Sequence, residues 1–300
     1  MPVHSVTAWI FLASVLALLW LVSRTGAPPI GPTDIVIENN RITLMKKATG
    51  NLSTAANRVA EGDHEIDCRG KWVTPGFIDC HVHLAALPDG DNGCFISPRL
   101  LNSPLFRFLL WKQDLSPTHP REANQRYLDH LISELRASKY VKKAVLLGMD
   151  GFYDQTGLLN RQQTDFLISN DYVFTTVQAH PDLFLAGPSI NPQREDAVDE
   201  VHRCADAGAV LIKVLPNAQH FNPADPKYIP FYRAMAQRNL PFLSHVGYEF
   251  SLFGKDQSLG DPERLRLALD EGVTIIAAHA CSYGLMLYEK FLPTLHDFAT

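Results

Sequence analysis

The segment that most constrains the fold is residues 73–84, VTPGFIDCHVHL, an apolar stretch that ends in two histidines two positions apart. Side chains of a β-strand point alternately to opposite faces, so the sequence predicts His81 and His83 on one face together with Asp79. A parallel barrel strand has this arrangement at its carboxyl end, where the lumen opens and polar groups gather. The alternative is an ordinary strand that carries two core or surface histidines. The context favours the first strand of a barrel.

Downstream, the chain alternates short apolar strands with helical patterns. The predicted strands are residues 144–147, 184–190, 209–215, 241–246 and 273–278, and the predicted helices are residues 162–177, 197–207, 228–238 and 262–271. Repeated strand–helix units indicate a parallel sheet. The expected fold class is therefore α/β, a (β/α)₈ TIM barrel that is truncated after strand six.

The connection after His83 is unusually long, because about 60 residues precede the next predicted strand. Connections of this length inside a barrel are uncommon and usually functional. An aromatic helical pattern at residues 104–115 is a candidate for a helix over the site. A second helical pattern at residues 121–138 predicts ordinary barrel packing.

The chain divides into three parts: residues 1–25, a membrane anchor or signal segment; residues 26–72, a linker and a small β subdomain with strands at 34–38 and 41–45; and residues 73–300, the barrel. The apolar run at residues 6–22 is borderline in length for a membrane span. A secretory signal is the competing interpretation. It is disfavoured because no cleavage site is obvious before Pro28 and no Lys or Arg precedes the run. We expect a membrane-anchored or exported protein of open orientation.

Composition restricts the partners. A hydrophobic content of 46% and a charged content of 20% over 300 residues describe one large core with a small appended domain. The formal net charge of -5 provides no basic field for a phosphate backbone, which argues against nucleic acid and for a small-molecule substrate. The oligomeric state stays open.

Three later strands end in a polar residue where an apolar strand would simply stop: Lys213 in LIKVLP, His245 in FLSHVG and His279 in IIAAHACS. Each alone is compatible with a lysine that reaches solvent or a hydrogen-bonded core histidine. Barrel geometry, however, brings the carboxyl ends of all strands to one rim, where they join His81 and His83. His220, just past Lys213 in PNAQHFNP, is a candidate for substrate contact.

These residue types suit metal-assisted chemistry. Neutral imidazoles bind borderline ions such as Zn²⁺, and a catalytic zinc keeps one position for water, which it activates to hydroxide. A lysine buried among them is disfavoured as an ammonium, so its neutral amine becomes available as a nucleophile that can capture carbon dioxide.

On these residues the chain resembles the amidohydrolase superfamily of metal-dependent (β/α)₈ hydrolases. Residues 73–84 are similar to the first-strand segment of dihydroorotase-like, hydantoinase-like and dipeptidase-like members. The later stretch from residue 187 through GAVLIKVLPNAQHFNPADP to LPFLSHVG is more similar to the branch of amino-carboxymuconate-semialdehyde decarboxylase.

The resemblance implies roles for the strand-end residues. In the hydrolase branch, His81 and His83 bind a first metal, Lys213 is a carboxylated bridging ligand, and His245 and His279 bind a second metal. In the decarboxylase branch, one metal is held by His81, His83 and His245, and His279 acts in catalysis. Superfamily members carry a metal-binding aspartate at the end of strand eight, which this chain, ending after strand six, is expected to lack.

The sequence therefore predicts a metal-dependent hydrolase that cleaves an amide, ester or lactone with metal-activated hydroxide, with one or two divalent ions, zinc foremost, and with His279 and Lys213 as catalytic residues. A non-oxidative metal-dependent decarboxylase is the alternative enzyme. A degenerate, inactive barrel that acts as a binding protein is the alternative outside enzymes.

Overall fold

A computed structural model describes residues 33–38, 41–47, 77–250, 252, 254 and 256–281. The chain divides into two compact units, residues 1–75 and 76–300. Among the described residues, no helix has the length and apolar character needed to cross a bilayer, and the predicted anchor at residues 6–22 lies outside them.

The first unit contains a β-hairpin. Strands β1 (Thr33–Glu38) and β2 (Arg41–Lys47) pair antiparallel, from Thr33 opposite Lys47 to Glu38 opposite Arg41, with a register shift between Val36 and Ile37. This confirms the two strands predicted around residues 39–40.

The second unit is built on parallel strands. Strands β3 to β10 are Phe77–His83, Phe95–Ile96, Val141–Leu147, Phe166–Leu167, Phe184–Gly187, Ile212–Val214, Phe242–Ser244 and Ile275–Ala277. Two parallel sheets, β3-β5-β7 and β8-β9-β10, are joined by bridges from Ala186 to Ala209 and from Ser189 to Lys213. The short strands β4 and β6 form a separate antiparallel pair. The α/β class and the sequential order of parallel strands agree with the sequence prediction.

Eight α-helices are described in this unit, and several begin where the sequence supplies a cap. Helices α1 to α8 are Pro98–Leu101, Pro104–Lys112, Pro120–Ala137, Asn170–Ala179, Ala197–Asp206, Pro216–Gln219, Ile229–Gln237 and Arg266–Asp270. The Ser97 and Ser103 side chains accept hydrogen bonds from the first turns of α1 and α2, and a proline follows each serine. The helix predicted at residues 162–177 was placed too early, because Ser169 caps a helix that begins at Asn170.

The two faces of the parallel strands pack against different partners. Leu146, Ile212 and Phe242 belong to the main core, which also contains helix residues such as Val201 and Met235. Val145, Leu147, Leu211, Leu243 and Ala278, in or beside these strands, form a separate cluster, and none of its described members lies in an α-helix. The strands thus have an outer face under the helices and an inner face that packs strand against strand, as in a barrel wall.

Strand β3 departs from the strict alternation that the sequence predicted. Asp79 pairs with Ala144 but Val82 pairs with Leu146, so three steps on β3 match two on β5, which is the pattern of a β-bulge. The backbone N–H of His81 donates to Oδ1 of Asp79 at 3.0 Å within this irregularity. Because of this bulge, simple alternation counted from Phe77 does not predict the face of β3 on which His83 lies.

Candidate active site

Two predicted site residues lie next to the inner-face cluster of Val145, Leu147, Leu211, Leu243 and Ala278, which we call the inner apolar layer. Lys213 follows Leu211 by two positions and His245 follows Leu243 by two positions, so each lies on the inner face of its strand. Both side chains are buried, with 1% of Lys213 and 7% of His245 exposed. The same alternation that places apolar side chains on the inner face thus places polar side chains there at the carboxyl ends of β8 and β9.

Four histidines from three strands meet at this end of the sheet. The ring centroids lie 5.2 Å apart for His81 and His83, 6.1 Å for His81 and His279, and 4.7 Å for His245 and His279. His81 lies on β3 and His279 follows β10, the first and last parallel strands in the described part of the chain, so these strands curl enough to bring the two histidines together. The structure therefore brings together all four histidines that the sequence singled out at strand ends.

His279 reaches this cluster through an unusual backbone conformation. Ile276 and Ala278 are inner-face residues, so regular alternation would turn His279 toward the helices. Instead its φ is 42°, and it lies in the 3₁₀ turn Ala278–Cys281 that ends β10. Left-handed backbone is uncommon for residues other than glycine and collects at functional sites. The turn directs the ring of His279 at His245.

Burial and positive charge keep these imidazoles unprotonated. Burial, followed by the charge of Lys213, lowers the pKa of His83 to about 3. Burial first, then Lys213 and the neighbouring histidines, also depress the pKa of His81 far below its ordinary value. The pKa of His245 is lowered by burial, His279 and Lys213. At neutral pH these rings are neutral, and each offers a nitrogen lone pair.

The tautomer of His245 follows from its hydrogen bonds. Its Nε2 lies 3.3 Å from the carbonyl oxygen of Tyr248, which can only accept, so Nε2 carries the proton. Its Nδ1 is then the lone-pair nitrogen, and it accepts from Nε2 of His279 at 3.1 Å. His279 therefore holds a proton at Nε2 in the centre of the cluster.

Lys213 is buried among these rings, and its ammonium is disfavoured. Burial lowers the pKa of Lys213 from 10.5 to about 7, against an opposing effect of the Glu249 carboxylate. A substantial fraction of the amine is neutral at neutral pH, as the sequence argument required of a nucleophilic lysine.

Sequence reasoning missed Glu249. Its Oε2 lies 3.7 Å from Nδ1 of His245, and the side chain is 11% exposed. It lies in the loop after β9, where no strand pattern locates side chains. The one available signal was an acidic residue four positions after a strand-end histidine, in HVGYE.

The structure places His220 beside the aromatic ring of Phe152. The ring of His220 packs edge-on against Phe152, with centroids 5.4 Å apart, and its charge acts on Asp256. His220 ends helix α6 with a φ of 55°. The role of His220 in substrate contact stays a prediction.

A second buried carboxylate belongs to the fold and not to this site. Asp150 accepts hydrogen bonds from the Tyr153 hydroxyl and from the N–H groups of Gly151 and Asn191, at 2.8 to 2.9 Å, and contacts Arg194 at 3.4 Å. Burial raises its pKa, while Arg194 and these hydrogen bonds oppose that rise. The oxygens are engaged with donors, so Asp150 ties the segments after β5 and β7 together.

The donor set fits a borderline divalent cation in its chemistry. Among the described residues, no three His, Cys, Asp or Glu side chains form a ready-made ligand group. The buried histidines nevertheless converge in their neutral, ligand-competent form, with a carboxylate at their edge. Imidazole nitrogens are the donors that zinc and related ions prefer.

Comparisons with known proteins place the chain in a family. An imidazolonepropionase from a Bradyrhizobium species is 36% identical over 63 residues, which are 20% of this chain and 15% of that protein. The chain spans 15% to 22% of the length of three imidazolonepropionases that it matches. Two solved structures give low TM-scores: a 2,6-dihydroxybenzoate decarboxylase from Rhizobium (0.39, 17% identity, 59% of this chain and 51% of that one) and an amidohydrolase II (0.42, 14% identity, 74% and 82%).

The family model for amidohydrolase matches residues 78–280, more than half of the 300 residues, and this match runs from the first predicted site histidine to the last. The chain belongs to the amidohydrolase family.

Proposed function

We propose that this protein is a metal-dependent amidohydrolase that cleaves an amide, ester or lactone bond of a small molecule, on a (β/α)₈ barrel scaffold. The observation that carries the proposal is the convergence of four strand-end histidines on a buried lysine above an apolar layer. Imidazoles with depressed pKa values that meet at the carboxyl end of parallel strands are typical of functional sites.

The chain's own residues divide into two groups. His81, His83 and His245 would hold the cation, zinc being the first choice, because their lone-pair nitrogens are neutral and buried. When bound, such a cation supplies Lewis acidity, which polarises a substrate carbonyl and makes water more acidic.

Proton transfer falls to the second group. His279 holds a transferable proton at Nε2, and Lys213, with a pKa of about 7, exchanges a proton near neutral pH. The neutral amine of Lys213 can also add to carbon dioxide, which forms a carbamate and releases one proton. The carbamate would provide a bridging ligand for a second ion.

The test begins with the full chain purified without added metal. Elemental analysis should find a stoichiometric transition ion, and chelation should abolish hydrolysis in a panel of one cyclic amide, one ester and one lactone. His81→Ala and His83→Ala should lose the metal and the activity together. His130→Ala, an exposed histidine on helix α3, is the matched control and should keep both.

Two other outcomes would redirect the proposal. Release of carbon dioxide from carboxylated substrates, without hydrolysis of the panel, would indicate a decarboxylase. Purified protein that holds no ion and does not take one up would indicate a binding protein without this chemistry.

We also propose that residues 6–22 associate the protein with a membrane, because this run is apolar except for Thr7 and Ser14. Fractionation of expressing cells tests this: the full chain should stay in the membrane pellet after a carbonate wash, and a chain that begins at residue 26 should not. Recovery of both chains in the supernatant would contradict it.

A further inference from the structure

Helix α2 (Pro104–Lys112) exposes most of its large side chains to solvent. In the part of the chain that the structure describes, nine large apolar side chains are exposed, and four of them belong to this nine-residue helix: Leu105, Phe108, Leu109 and Trp111. Trp111 is the most exposed of the nine, at 76%. One exposed apolar residue is ordinary, but a contiguous group of this size is typical of a surface that contacts another molecule or a membrane.

The opposite side of α2 fixes the helix to the fold. Leu110 is buried in a cluster with residues of α1 and α3, and Phe106 packs against the same cluster. The ring of Phe106 also meets Phe166 edge-on, with centroids 6.3 Å apart. At the start of the helix, the Ser103 hydroxyl accepts a hydrogen bond from the N–H of Phe106 at 3.2 Å. The exposed side of α2 is therefore held in a defined position.

The four exposed apolar side chains form one continuous surface, which we call the α2 face. Leu105, Phe108 and Leu109 are at positions i, i+3 and i+4 of the helix, so they lie side by side. Trp111 follows Phe108 by three positions, and the two rings lie 5.8 Å apart. Tryptophan, phenylalanine and leucine on one side of a helix are typical of helices that lie in the boundary between lipid headgroups and acyl chains.

The charge on this helix is positive. Arg107 and Lys112 are exposed, and neither forms an ion pair with a described residue. Residues 92–113 contain no Asp or Glu, although the whole chain has a formal net charge of -5. The next acidic residue, Asp114, pairs with Arg126. An anionic surface is therefore the electrostatic complement of α2.

The position of Lys112 favours a lipid surface over a groove in a protein. Lys112 follows Phe108 by four positions and Leu109 by three, so its side chain lies between those two on the α2 face. A protein groove that covered the face would take the ammonium out of water, which is costly without a buried partner. At a bilayer the long lysine side chain extends along the apolar surface and places its ammonium among the headgroups.

We propose that the α2 face docks on an anionic membrane surface, with Phe108 and Trp111 at the boundary between headgroups and acyl chains and with Arg107 and Lys112 on lipid phosphates. This surface plays no part in the proposed catalytic chemistry. It also differs from the proposed association through residues 6–22, because it belongs to a folded helix of the second unit. Each basic side chain near an anionic bilayer contributes about a fivefold gain in binding, so the two contribute about 25-fold.

The experiment measures the environment of Trp111 in the full chain, because residues 6–22 are themselves proposed to bind membranes. Trp9, Trp20 and Trp72 are replaced by phenylalanine, which leaves Trp111 as the one tryptophan. The protein is mixed with vesicles of phosphatidylcholine, or of phosphatidylcholine and phosphatidylserine at a ratio of about 7 to 3, each with brominated acyl chains that quench nearby indoles. In the mixed vesicles we expect blue-shifted and quenched emission, and we expect weaker effects in phosphatidylcholine alone and at high salt.

Variants assign the contact to the α2 face. Arg107→Gln combined with Lys112→Gln should lower the docking equilibrium constant in the mixed vesicles by about 25-fold. The matched control, Arg136→Gln combined with Lys142→Gln, changes two exposed basic residues outside α2 and should keep the quenching. Phe108→Ser should also reduce quenching, whereas the exposed Leu158→Ser should not.

Three results would overturn the inference. The first is Trp111 emission that the mixed vesicles do not change, even where the protein sediments with them, which would leave residues 6–22 as the membrane contact. The second is equal quenching in wild type and in the double variant of Arg107 and Lys112. The third is a blue shift that grows with protein concentration without vesicles, which would show that a second copy covers the face.

A second measurement applies if circular dichroism shows that the single-tryptophan chain does not fold. Hydrogen exchange of the peptide that spans α2 is then measured in the wild-type chain. Exchange should slow when the mixed vesicles are added, and unchanged exchange would refute the docking.

Discussion

Replacement of Lys213 by methionine should stabilise the metal-free protein while it removes activity. Lys213 is 1% exposed, and its pKa falls from 10.5 to about 7 on folding, chiefly through burial. Between these two values the unfolded chain binds a proton that the folded chain does not, so stability rises with pH over this interval. Below pH 7 both states are protonated and the full penalty of the buried ammonium is present.

The size of the effect follows from the same two values. The interval between 10.5 and about 7 corresponds to a penalty of about 5 kcal/mol below pH 7, falling to about 3 kcal/mol at pH 8 and vanishing above pH 10.5. Methionine fills a similar volume without a charge, so Lys213→Met should recover most of this free energy of unfolding.

Urea unfolding of metal-free protein at pH 6, 8 and 9.5 measures the effect. Wild type should gain stability as the pH rises, and Lys213→Met should be more stable and less dependent on pH. Lys112→Met, at an exposed position on helix α2, should reproduce the wild-type slope. A Lys213→Met variant that is less stable than wild type at pH 6, or that keeps the wild-type slope, would refute the reasoning.

Three further changes test other parts of the structure. His279→Gln removes the ring that holds the transferable proton and should lower kcat by about 100-fold or more, measured under saturating substrate. Leu243→Ala opens a cavity in the inner apolar layer and should lower the free energy of unfolding by about 3 kcal/mol in urea, whereas the exposed Leu158→Ala should change little. Burial tends to raise the pKa of Glu200, but hydrogen bonds from Arg203 and from the buried amide of Asn170 lower it overall. The ionised carboxylate therefore stabilises the fold at neutral pH, and this stabilisation is lost as the pH falls through the folded pKa. In Glu200→Gln, the free energy of unfolding should depend less steeply on acid pH.

The sequence located the parallel strands and placed Lys213 and His245 at their ends because both depend on local alternation. Leu211 and Lys213, like Leu243 and His245, are two positions apart, so the sequence alone places each pair on one face of a strand. The parallel order then brings those faces to one rim. The same reasoning predicted helices α2 and α3 to within a few residues.

Other features depend on contacts that no short pattern records. The bulge in β3 arises from pairing with β5, and the left-handed turn at His279 is set by the end of β10. Glu249 was missed because its position depends on a glutamine eight residues away, Gln257, and on a buried asparagine after another strand. A loop residue held by distant side chains has no periodicity from which its direction can be predicted.

The pKa values of His81, His83, His245 and Lys213 are all lowered, so each of these side chains tends to lose its proton. At neutral pH the rings of His81, His83 and His245 hold no extra proton, and Lys213 holds its proton weakly. A cation that enters the cluster therefore has little proton competition to overcome at the imidazoles, whereas an ordinary histidine with a pKa near 6.5 competes strongly in mild acid. The burial that disfavours protons on these side chains prepares them as ligands, and its free-energy cost is offset by the apolar layer below and the helices outside.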